Sequence, residues 1–366
     1  MSEPRNDPAG GVRLDRLLLV RVDVSAQMGA GHFMRCLALA QAWHELGGRA
    51  VFCGHLSSPA HYRRLAGEGF DLLPLPSPAT PPHVFSSVMA AEADRSGHDD
   101  KTQVWAVLDG YHFTRECQDA IKDKGMKLLA IDDEGLQSRW NVDALLNQNL
   151  HAHLLRYELA PNVLSFFGPG FALLRREFRS LFPDQDEIPG RGRRLLVSLG
   201  GSDPENWTSK ILEGVARAAI PGLHCKVIVG PDNEHAVGIE KKSRELGPGF
   251  EVLHSPGDMP ALMGWADAAL AAAGSISWEL AHMGVPALLV VAADNQEPIA
   301  KHLGHMGAAD NLGWVKDLGS GDVAVRLKRL LRSPGVRRTM AKKGRAVVDG
   351  KGALRVASRM RGELDA

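Results

Sequence analysis

A glycine-rich turn that leads into a histidine follows the first apolar run of the sequence. Residues 17–22 form that run, and Gly-Ala-Gly-His follows at residues 29–32. A glycine turn between a strand and a helix lets backbone N–H groups approach an anion, and the helix N-terminus adds about half a positive charge. The same positive end favours a neutral imidazole, the form that a general base needs near neutral pH. We therefore predict that His32 is a catalytic base and that Gly31 contacts an anionic substrate.

Two charged residues flank this turn. Asp23, at the end of the apolar run, could orient the imidazole of His32 as the third group of a triad orients a base, or it could cap a turn. Arg35, one helical turn further on, could meet a phosphate or form an ion pair inside the protein. We take Asp23 as catalytic and Arg35 as a substrate contact. A dinucleotide fingerprint would need a glycine at the position of Met34, so we expect no cofactor.

Further acids and histidines follow later apolar runs. Residues 109–112 read Asp-Gly-Tyr-His and could bring Tyr111 to a sugar, although Asp-Gly also occurs in turns for backbone reasons alone. The role of His112 is left open. Three acids at residues 132–134 favour a solvated turn over a metal site, because no further ligands lie nearby at metal spacing. The two histidines within residues 151–153 are a weak metal signal, and we expect no metal.

The second half of the sequence carries two glycine-bearing turns, each after an apolar run. Backbone N–H groups at such turns can hold a diphosphate without a lysine, although a tight turn can also need glycine for its dihedral angles alone. The second turn opens a helical stretch, whose N-terminus also favours an anion. The residues that we assign to phosphate on this basis are Gly200, Gly201, Ser202, Gly274 and Ser275.

Three polar residues at or after the second turn are suited to recognise the nucleotide. Glu279 lies about one helical turn into the stretch, where its carboxylate could accept two hydrogen bonds from ribose hydroxyls. Asn295 and Gln296 open the next helical stretch with amides suited to sugar or phosphate. Glu279 taken alone is more typical of a solvated helix acid, but the whole group favours nucleotide recognition.

Short apolar runs alternate with longer helical stretches along the chain. The predicted strands are residues 17–22, 50–53, 104–108, 127–131, 143–147, 195–198, 226–229, 268–272 and 287–291. The predicted helices are residues 33–46, 82–95, 114–124, 207–219, 234–245, 276–282 and 296–305. Such alternation needs crossover connections, so the sheets should be parallel and covered on both faces. We therefore expect an α/β fold of two Rossmann-like domains that face each other across a ligand-binding cleft.

A segment with two prolines and mixed charge separates the two series of runs. We expect a disordered lead-in at residues 1–16, an N-terminal domain at 17–180, a linker at 181–194 and a C-terminal domain at 195–340. The last segment, residues 341–366, is basic and helical in character and could cross back to the N-terminal domain.

Composition and charge exclude several classes of function. The chain has 366 residues, with 43 Lys plus Arg and 43 Asp plus Glu. It lacks the basic excess of backbone-driven nucleic-acid binders, so we expect no nucleic-acid partner. Its apolar stretches are much shorter than the roughly 20 residues that cross a bilayer. Four widely spaced cysteines without a C-x-x-C pair indicate reduced thiols in a cytoplasmic protein, which we expect to be a monomer.

Residues 21–40 resemble a family signature. They fit R-V-D-x-S-x-x-x-G-x-G-H-x-x-R-C-L-x-L-A, which is similar to the N-terminal motif of the UDP-2,4-diacetamido-2,4,6-trideoxy-β-L-altropyranose hydrolases of pseudaminic acid biosynthesis. Later segments look similar in the same order, to about residue 313. One departure lies at residues 109–112, where the family often has D-H-Y-G.

The resemblance implies a two-domain GT-B architecture, because that family is similar to the transferases that add N-acetylglucosamine to a peptidoglycan lipid. It implies that water displaces UDP from the anomeric carbon of a UDP-sugar, with His32 as the water-activating base. It also implies that Glu279 and Asn295 hold the nucleotide and that Arg175 contacts the ligand near the hinge.

The chemistry of the leaving group is compatible with this reaction. UDP leaves readily when helix N-termini stabilise its charge, so the carboxylic pair of ordinary glycosidases is unnecessary. A single base that deprotonates water on the opposite face predicts inversion without a metal. Hydrolysis of a UDP-linked diacetamido-trideoxy sugar is thus the main hypothesis. The alternatives are a GT-B glycosyltransferase and a non-catalytic nucleotide-sugar binding module; the absence of a clear amphipathic anchor in the sequence favours the hydrolase over a membrane-associated transferase.

Overall fold

Two parallel β-sheets organise the chain. The computed structural model describes residues 16–25, 27–135, 137–179 and 188–363, with seven strands in the first sheet and six in the second. The expected lead-in at 1–16 lies outside the described residues except for Arg16, and so do residues 181–187 of the expected linker. No helix within the described ranges is long and apolar enough to span a membrane.

The first sheet is built from the N-terminal half of the chain. Its strands are β1 (Leu17–Val22), β2 (Arg49–Gly54), β3 (Asp71–Pro74), β4 (Trp105–Asp109), β5 (Lys127–Ile131), β6 (Ala144–Asn147) and β7 (Leu164–Phe167). The helices of this half are α1 (Gly31–Glu45), α2 (Pro59–Glu68), α3 (Pro82–Arg95), α4 (Arg115–Lys122) and α5 (Arg176–Arg179). The strand order is β3-β2-β1-β4-β5-β6-β7, and all neighbours are parallel.

The second sheet repeats this architecture. Its strands are β8 (Arg194–Ser198), β9 (His224–Val229), β10 (Phe250–His254), β11 (Ala268–Ala272), β12 (Ala287–Val291) and β13 (Asp310–Trp314). The helices are α6 (Trp207–Arg217), α7 (Ala236–Leu246), α8 (Met259–Trp265), α9 (Ile276–Met283), α10 (Glu297–Met306), α11 (Ser320–Arg332), α12 (Pro334–Val347) and α13 (Gly352–Met360). The strand order is β10-β9-β8-β11-β12-β13. The prediction of an α/β fold with two Rossmann-like units is confirmed.

The central strands are fully buried apolar runs. Every residue of β1, β11 and β12 is buried, because helices cover both faces of each sheet. A strand without a solvent-exposed side lacks the polar alternation of a half-exposed strand, so it is visible in the sequence as a continuous apolar run. The four strands that the sequence analysis missed, β3, β7, β10 and β13, are the edge strands of the two sheets. Most of their residues are partly or fully exposed, so their apolar signal is weak.

The last helix returns to the first sheet. α12 packs against α9 of the second sheet, whereas α13 packs against α1. Ala353, Val356 and Met360 of α13 are buried in the same apolar core as Phe33 and Leu37 of α1. The C-terminal segment therefore connects the two halves of the molecule.

Each sheet reverses its strand order beside its first strand. β1 lies between β2 and β4, and β8 lies between β9 and β11. In open parallel sheets, the crevice for ligands lies at this point, beyond the carboxyl ends of the strands. The turns that follow β1, β4, β8 and β11 are therefore the segments that can form a site.

Candidate functional site

The imidazole of His32 lies in the first turn of α1 and contacts the end of β4. Its Nδ1 is 2.8 Å from Oδ1 of Asp109, and the two side chains are 7% and 0% exposed. Burial alone would raise the pKa of Asp109, but Arg35 and His32 hold that pKa well below its usual range. The ionised carboxylate therefore accepts a hydrogen bond from Nδ1–H, which leaves Nε2 as the basic nitrogen. This arrangement suits a general base.

Arg35 is buried behind this pair. It donates to the two oxygens of Asp109, each at 2.6 Å, and to Oδ1 of Asp133 at 2.9 Å. Its Nη2 also lies 3.0 Å from Nδ1 of His32, but Nη2 donates to Asp109 at the shorter distance, so we assign the proton between His32 and Asp109 to Nδ1. Arg35 is only 6% exposed. Its Nε, Nη1 and Nη2 all bond to carboxylates of the protein, so the structure favours the ion-pair alternative for Arg35 over the predicted substrate contact.

The group behind His32 has one more negative charge than positive charge. Arg35 supplies one cation, and Asp109 and Asp133 supply two anions. Burial would raise the pKa of Asp133, but Arg35 and His32 together hold that pKa below its usual value. A proton that His32 takes up would therefore meet a net negative charge in a poorly solvated site, where electrostatic interactions are strong. The carboxylates behind His32 thus carry a negative charge that Arg35 balances only in part.

Asp23 does not orient His32, and this prediction is wrong. Its carboxylate is 2.9 Å from Nε2 of His112, accepts the backbone N–H of His55 at 2.7 Å and pairs with Arg21 at 2.6 Å. The reason is geometric: Asp23 lies beyond the end of β1 and faces the loops after β2 and β4, whereas Asp109 ends the neighbouring strand and reaches α1. Asp109 thus holds His32, and Asp23 holds His112. The role of His112, which the sequence left open, includes this contact with Asp23.

Tyr111 connects the two halves of the molecule beside His32. The ring centroids of these two residues are 4.7 Å apart, with the planes at 80°. The hydroxyl of Tyr111 donates to Oδ2 of Asp133 at 3.0 Å and accepts from Nδ2 of Asn295 at 2.7 Å. Burial and Asp133 raise the pKa of Tyr111, so the phenol stays protonated. The predicted contacts Tyr111 and Asn295 therefore meet at the cleft.

Glycine-bearing turns of the two halves face each other at the start of α1. A Cβ at Gly31 would lie 3.4 Å from Oγ of Ser275, and one at Gly201 would lie 3.7 Å from Cβ of Ala30. A Cβ at Gly29 would lie 3.9 Å from Oγ of Ser202. Gly200 has a φ of +102°, which favours glycine. A Cβ on Gly230 would lie 2.1 Å from the carbonyl oxygen of Gly201, so only glycine allows the chain after β9 to pack under this turn.

Unpaired backbone N–H groups occur at these turns. Among the described residues, the N–H groups of Gly200, Gly201, Ser202 and Ser275 have no hydrogen-bond acceptor. Gly274 differs from the prediction, because its N–H donates to the carbonyl oxygen of Ala272 at 2.8 Å. Unpaired N–H groups at a helix start bind anions well. The described ranges contain no group of three or more His, Cys, Asp or Glu residues that could hold a metal.

Arg175 and Glu279 form an ion pair beside the second sheet. Nη2 of Arg175 is 3.0 Å from Oε1 of Glu279 on α9, and Nη1 is 3.2 Å from Glu177. Burial raises the pKa of Glu279, and Arg175 counters part of this effect. Arg175 is 6% exposed and positions Glu279, so its predicted contact with the ligand stays a prediction. Within the described part of the chain, Oε2 of Glu279 has no hydrogen-bond partner.

Gln296 closes a turn. Its Oε1 accepts the backbone N–H of Ala292 at 3.0 Å, so the predicted ligand contact of Gln296 stays a prediction that its amide nitrogen would have to make. Gln296 also precedes α10 instead of lying within it, since the helix begins at Glu297.

Asp133 is the residue that the sequence analysis misjudged most. It was expected in a solvated turn, but it is 8% exposed and accepts hydrogen bonds from Arg35, Tyr111 and Nδ2 of Asn149, the last at 2.8 Å. The available signal was its position: it follows β5, at the edge of the sheet where Arg35 and Tyr111 also lie. Asn149 carried no signal of its own.

Comparisons with known proteins identify relatives of partial length. No family model matches the sequence. The spore coat polysaccharide biosynthesis protein SpsG of Bacillus subtilis is 28% identical over 235 residues, 63% of this chain and 68% of that protein. The UDP-2,4-diacetamido-2,4,6-trideoxy-β-L-altropyranose hydrolase of Campylobacter jejuni is 26% identical over 206 residues, 56% of this chain and 67% of its own length.

A peptidoglycan transferase is also similar over part of its length. The UDP-N-acetylglucosamine–N-acetylmuramyl-(pentapeptide) pyrophosphoryl-undecaprenol N-acetylglucosamine transferase of Pseudomonas fluorescens is 31% identical over 155 residues, 41% of this chain and 43% of the transferase. The chain therefore matches less than half the length of that relative.

Solved structures match nearly the whole chain. MurG of Acinetobacter baumannii has a TM-score of 0.63 at 14% identity and covers 95% of this chain and 99% of its own. The UDP complex of Staphylococcus aureus MnaA has a TM-score of 0.64 at 12% identity, with 95% and 96% covered. The chain therefore has the GT-B fold, as the sequence analysis expected.

Proposed function

We propose that this chain is an enzyme that moves the sugar of a UDP-sugar from UDP to an oxygen nucleophile, with His32 as the base. The observation that carries the proposal is the 2.8 Å contact between Nδ1 of His32 and the ionised Asp109. This contact fixes the tautomer of the imidazole, and Nε2 has no hydrogen-bond partner among the described residues. The relatives whose names include a UDP-sugar substrate support this choice of substrate.

The diphosphate of UDP would lie between the turn of residues 200–202 and the start of α9. The four unpaired N–H groups there are oriented by glycine turns, and the N-terminus of α9 adds partial positive charge. The free oxygen of Glu279 would accept a hydrogen bond from a ribose hydroxyl, while Arg175 fixes the other oxygen. Tyr111 and Asn295 would border the sugar.

The proposed reaction is a single displacement at the anomeric carbon. Nε2 of His32 takes the proton of the nucleophile as its oxygen bonds to that carbon. The bond from the carbon to UDP breaks at the same time, and its electron pair leaves with the diphosphate, whose charge the N–H groups stabilise. The negative charges of Asp109 and Asp133 balance the positive charge that His32 gains with this proton. Because nucleophile and leaving group lie on opposite faces, the configuration inverts, and no cofactor is needed.

Transfer to an acceptor hydroxyl is the first candidate for this nucleophile. It is supported by the Pseudomonas fluorescens transferase, at 31% identity over the matched region, and by the MurG fold, which covers 95% of this chain. The same cleft and base serve water or an alcohol, so the chemistry of His32 allows both. The sequence alone favoured hydrolysis as the main hypothesis and transfer as an alternative, so this ranking is the reverse of that expectation.

Hydrolysis is the second candidate. It is supported by the motif of residues 21–40 and by the hydrolase of Campylobacter jejuni, which matches over 67% of its own length. Water would replace the acceptor, and the product would be a free 2,4-diacetamido-2,4,6-trideoxy sugar for pseudaminic acid biosynthesis.

The deciding assay measures UDP release by the intact protein and by His32→Ala in the presence of a chelator. The substrates are UDP-N-acetylglucosamine and UDP-2,4-diacetamido-2,4,6-trideoxy-altropyranose, each with and without a short-chain N-acetylmuramyl-pentapeptide diphosphate lipid. We expect release by the intact protein to require the acceptor. Release without acceptor would establish hydrolysis instead.

Calorimetric titration with UDP supplies the control. His32→Ala should bind UDP like the intact protein and lack turnover. Loss of UDP binding together with turnover would make His32 structural. UDP binding with no release by the intact protein under any condition would refute the enzyme and leave a binding module.

A further inference from the structure

Helices α11 and α12 form a basic surface outside the cleft. Residues 323–347 contain nine Lys or Arg and no Asp or Glu, although the whole chain has equal numbers of basic and acidic residues. The nine cations are Arg326, Lys328, Arg329, Arg332, Arg337, Arg338, Lys342, Lys343 and Arg345. Such a concentration of one charge creates a local positive potential in a protein of zero net charge.

Most of these cations are exposed and not neutralised. The exposed ones are Arg326, Arg329, Arg332, Arg338, Lys342 and Lys343. Within the described ranges, one of these six cations forms an ion pair: Arg326 lies 3.0 Å from Asp310. Arg337 differs, because it is buried and donates to the carbonyl oxygen of Leu330 at 2.9 Å. Arg337 thus stabilises the fold, whereas the other five exposed cations make no ion pair within the described ranges and are available to a partner.

A groove of about 490 Å³ opens on this surface. Its lining includes three cations, Arg326 and Arg329 from α11 and Lys343 from α12. Asp310 is the acid among the lining residues, and Arg326 already pairs with it. Leu330 adds an apolar surface. The groove therefore offers two unpaired cations beside an apolar wall, which suits a phosphate group attached to an apolar body.

Exposed aliphatic side chains lie among the cations. Val325, one turn before Arg329 on α11, is 66% exposed, and Val336, which lines the groove, is 40% exposed. Met306, next to the groove residue Gly307, is 43% exposed. Cations beside exposed aliphatic groups are typical of surfaces that lie in the headgroup region of an anionic bilayer.

A nucleic acid fits this surface less well. Single strands bind through aromatic side chains on which bases stack. Residues 323–347 contain no Phe, Trp or Tyr. Charge complementarity together with the exposed valines therefore favours a lipid surface.

We propose that the face formed by α11 and α12 docks on anionic phospholipid bilayers, and that the groove takes the phosphate of one headgroup. Each exposed cation adds attraction to the anionic surface, and salt screens this attraction. Val325 and Val336 enter the headgroup region. Neither helix alone presents this surface, which explains why the sequence showed no clear amphipathic anchor. The proposal is independent of the chemistry at His32.

Sedimentation with vesicles tests the docking surface in the intact protein. The vesicles contain phosphatidylcholine alone or with about one third phosphatidylglycerol. We expect binding to the anionic vesicles only, with a partition coefficient that falls at least about tenfold when NaCl rises from about 0.05 M to about 0.5 M.

The variant Arg326→Gln/Arg329→Gln/Lys343→Gln should lower that coefficient by at least about tenfold. The matched control is Lys241→Gln/Lys242→Gln/Arg244→Gln on α7, which removes the same charge where Glu240 and Glu245 lie beside the cations. The control should retain binding. Both variants should keep the melting temperature and the UDP affinity of the intact protein, since these side chains lie outside the cleft.

Four results would overturn the proposal. The first is no sedimentation with anionic vesicles at low salt, and the second is an equal loss in the two triple variants. The third is tighter binding to poly(U) RNA than to the vesicles. The fourth is binding of free inorganic phosphate to the groove without any binding to vesicles.

Discussion

Nδ1 of His32 and Oδ1 of Asp109 lie 2.8 Å apart, although 77 positions separate the two residues in the sequence. The bond joins the first turn of α1 to the last residue of β4, which pairs with β1 where the order of the first sheet reverses. Arg35 donates hydrogen bonds to both oxygens of Asp109. The arrangement of His32, Asp109 and Arg35 therefore depends on the parallel pairing of two strands.

Asp109→Asn is expected to remove most of the turnover and to leave UDP binding intact. An asparagine side chain can donate to Nδ1, which would move the imidazole proton to Nε2 and eliminate the base. The corresponding replacement in serine proteases lowers kcat by about 10⁴-fold, and we expect a loss of about 10³- to 10⁴-fold. Steady-state kinetics and calorimetric UDP titration measure the two quantities.

Asp23→Asn is the matched control for that variant. It makes the same change in a carboxylate that is equally buried and that bonds to His112 instead of His32. We expect a loss in kcat of less than about tenfold at a temperature where both variants are folded. A larger loss for Asp23→Asn than for Asp109→Asn would show that Asp23 is the orienting acid.

Tyr111→Phe and Asn295→Ala are expected to raise KM severalfold and to be non-additive. Each removes the same bond, 2.7 Å between Nδ2 of Asn295 and the hydroxyl of Tyr111, so the second change has little left to remove. A double-mutant cycle on kcat/KM should give a coupling energy of about 0.5 to 3 kcal/mol. Additive effects would mean that the bond does not contribute to substrate binding.

Glu279→Ala is expected to weaken UDP binding by about 1 to 3 kcal/mol, because it removes an acceptor for ribose hydroxyls. It should also lower the melting temperature, because the buried Arg175 loses one of the two carboxylates that pair with it in the described part of the chain. Glu279→Gln keeps the shape and one acceptor oxygen, so its effects on both quantities should be smaller. An unchanged Kd for UDP in both variants would exclude Glu279 from the nucleotide site.

Stability is expected to fall as the pH drops below about 4, the ordinary pKa of aspartate. Burial would raise the pKa of Asp109, but Arg35 and His32 hold it well below that value in the folded protein. The unfolded chain therefore binds a proton that the folded chain does not, and stabilisation that is fully present above the unfolded pKa is lost toward the folded one. Urea unfolding between about pH 5 and pH 2 should show a smaller pH dependence for Asp109→Asn. Equal dependence in both proteins would contradict the depressed pKa.

Local patterns in the sequence located most of the architecture. Continuous apolar runs identified β1, β11 and β12 because strands buried on both faces have no polar side. The edge strands escaped prediction, since β13 has no fully buried residue. His32 was chosen as the candidate base because the glycine turn and the helix start beside it are contiguous in sequence.

The partners of charged side chains could not be predicted in the same way. Asp23 and Asp109 both follow or end buried strands near His32, and the sequence favoured the nearer one. Arg35 is a candidate for phosphate contact in the sequence, whereas in the structure Asp109 and Asp133 bond to its guanidinium. Asp133 looked solvated because its partners come from three other segments.

The sequence by itself determined the parallel α/β fold, a helix that begins beside His32, and the glycine turns at the crevice. These features depend on contiguous residues, through burial on both faces of a strand and through backbone dihedral angles. Only the tertiary structure decided that Asp109 orients His32, that Asp133 joins Arg35 to Tyr111, and that α11 and α12 share one basic surface. Such pairings depend on strand register and on side-chain directions over a few ångströms, which leave no local pattern in the sequence.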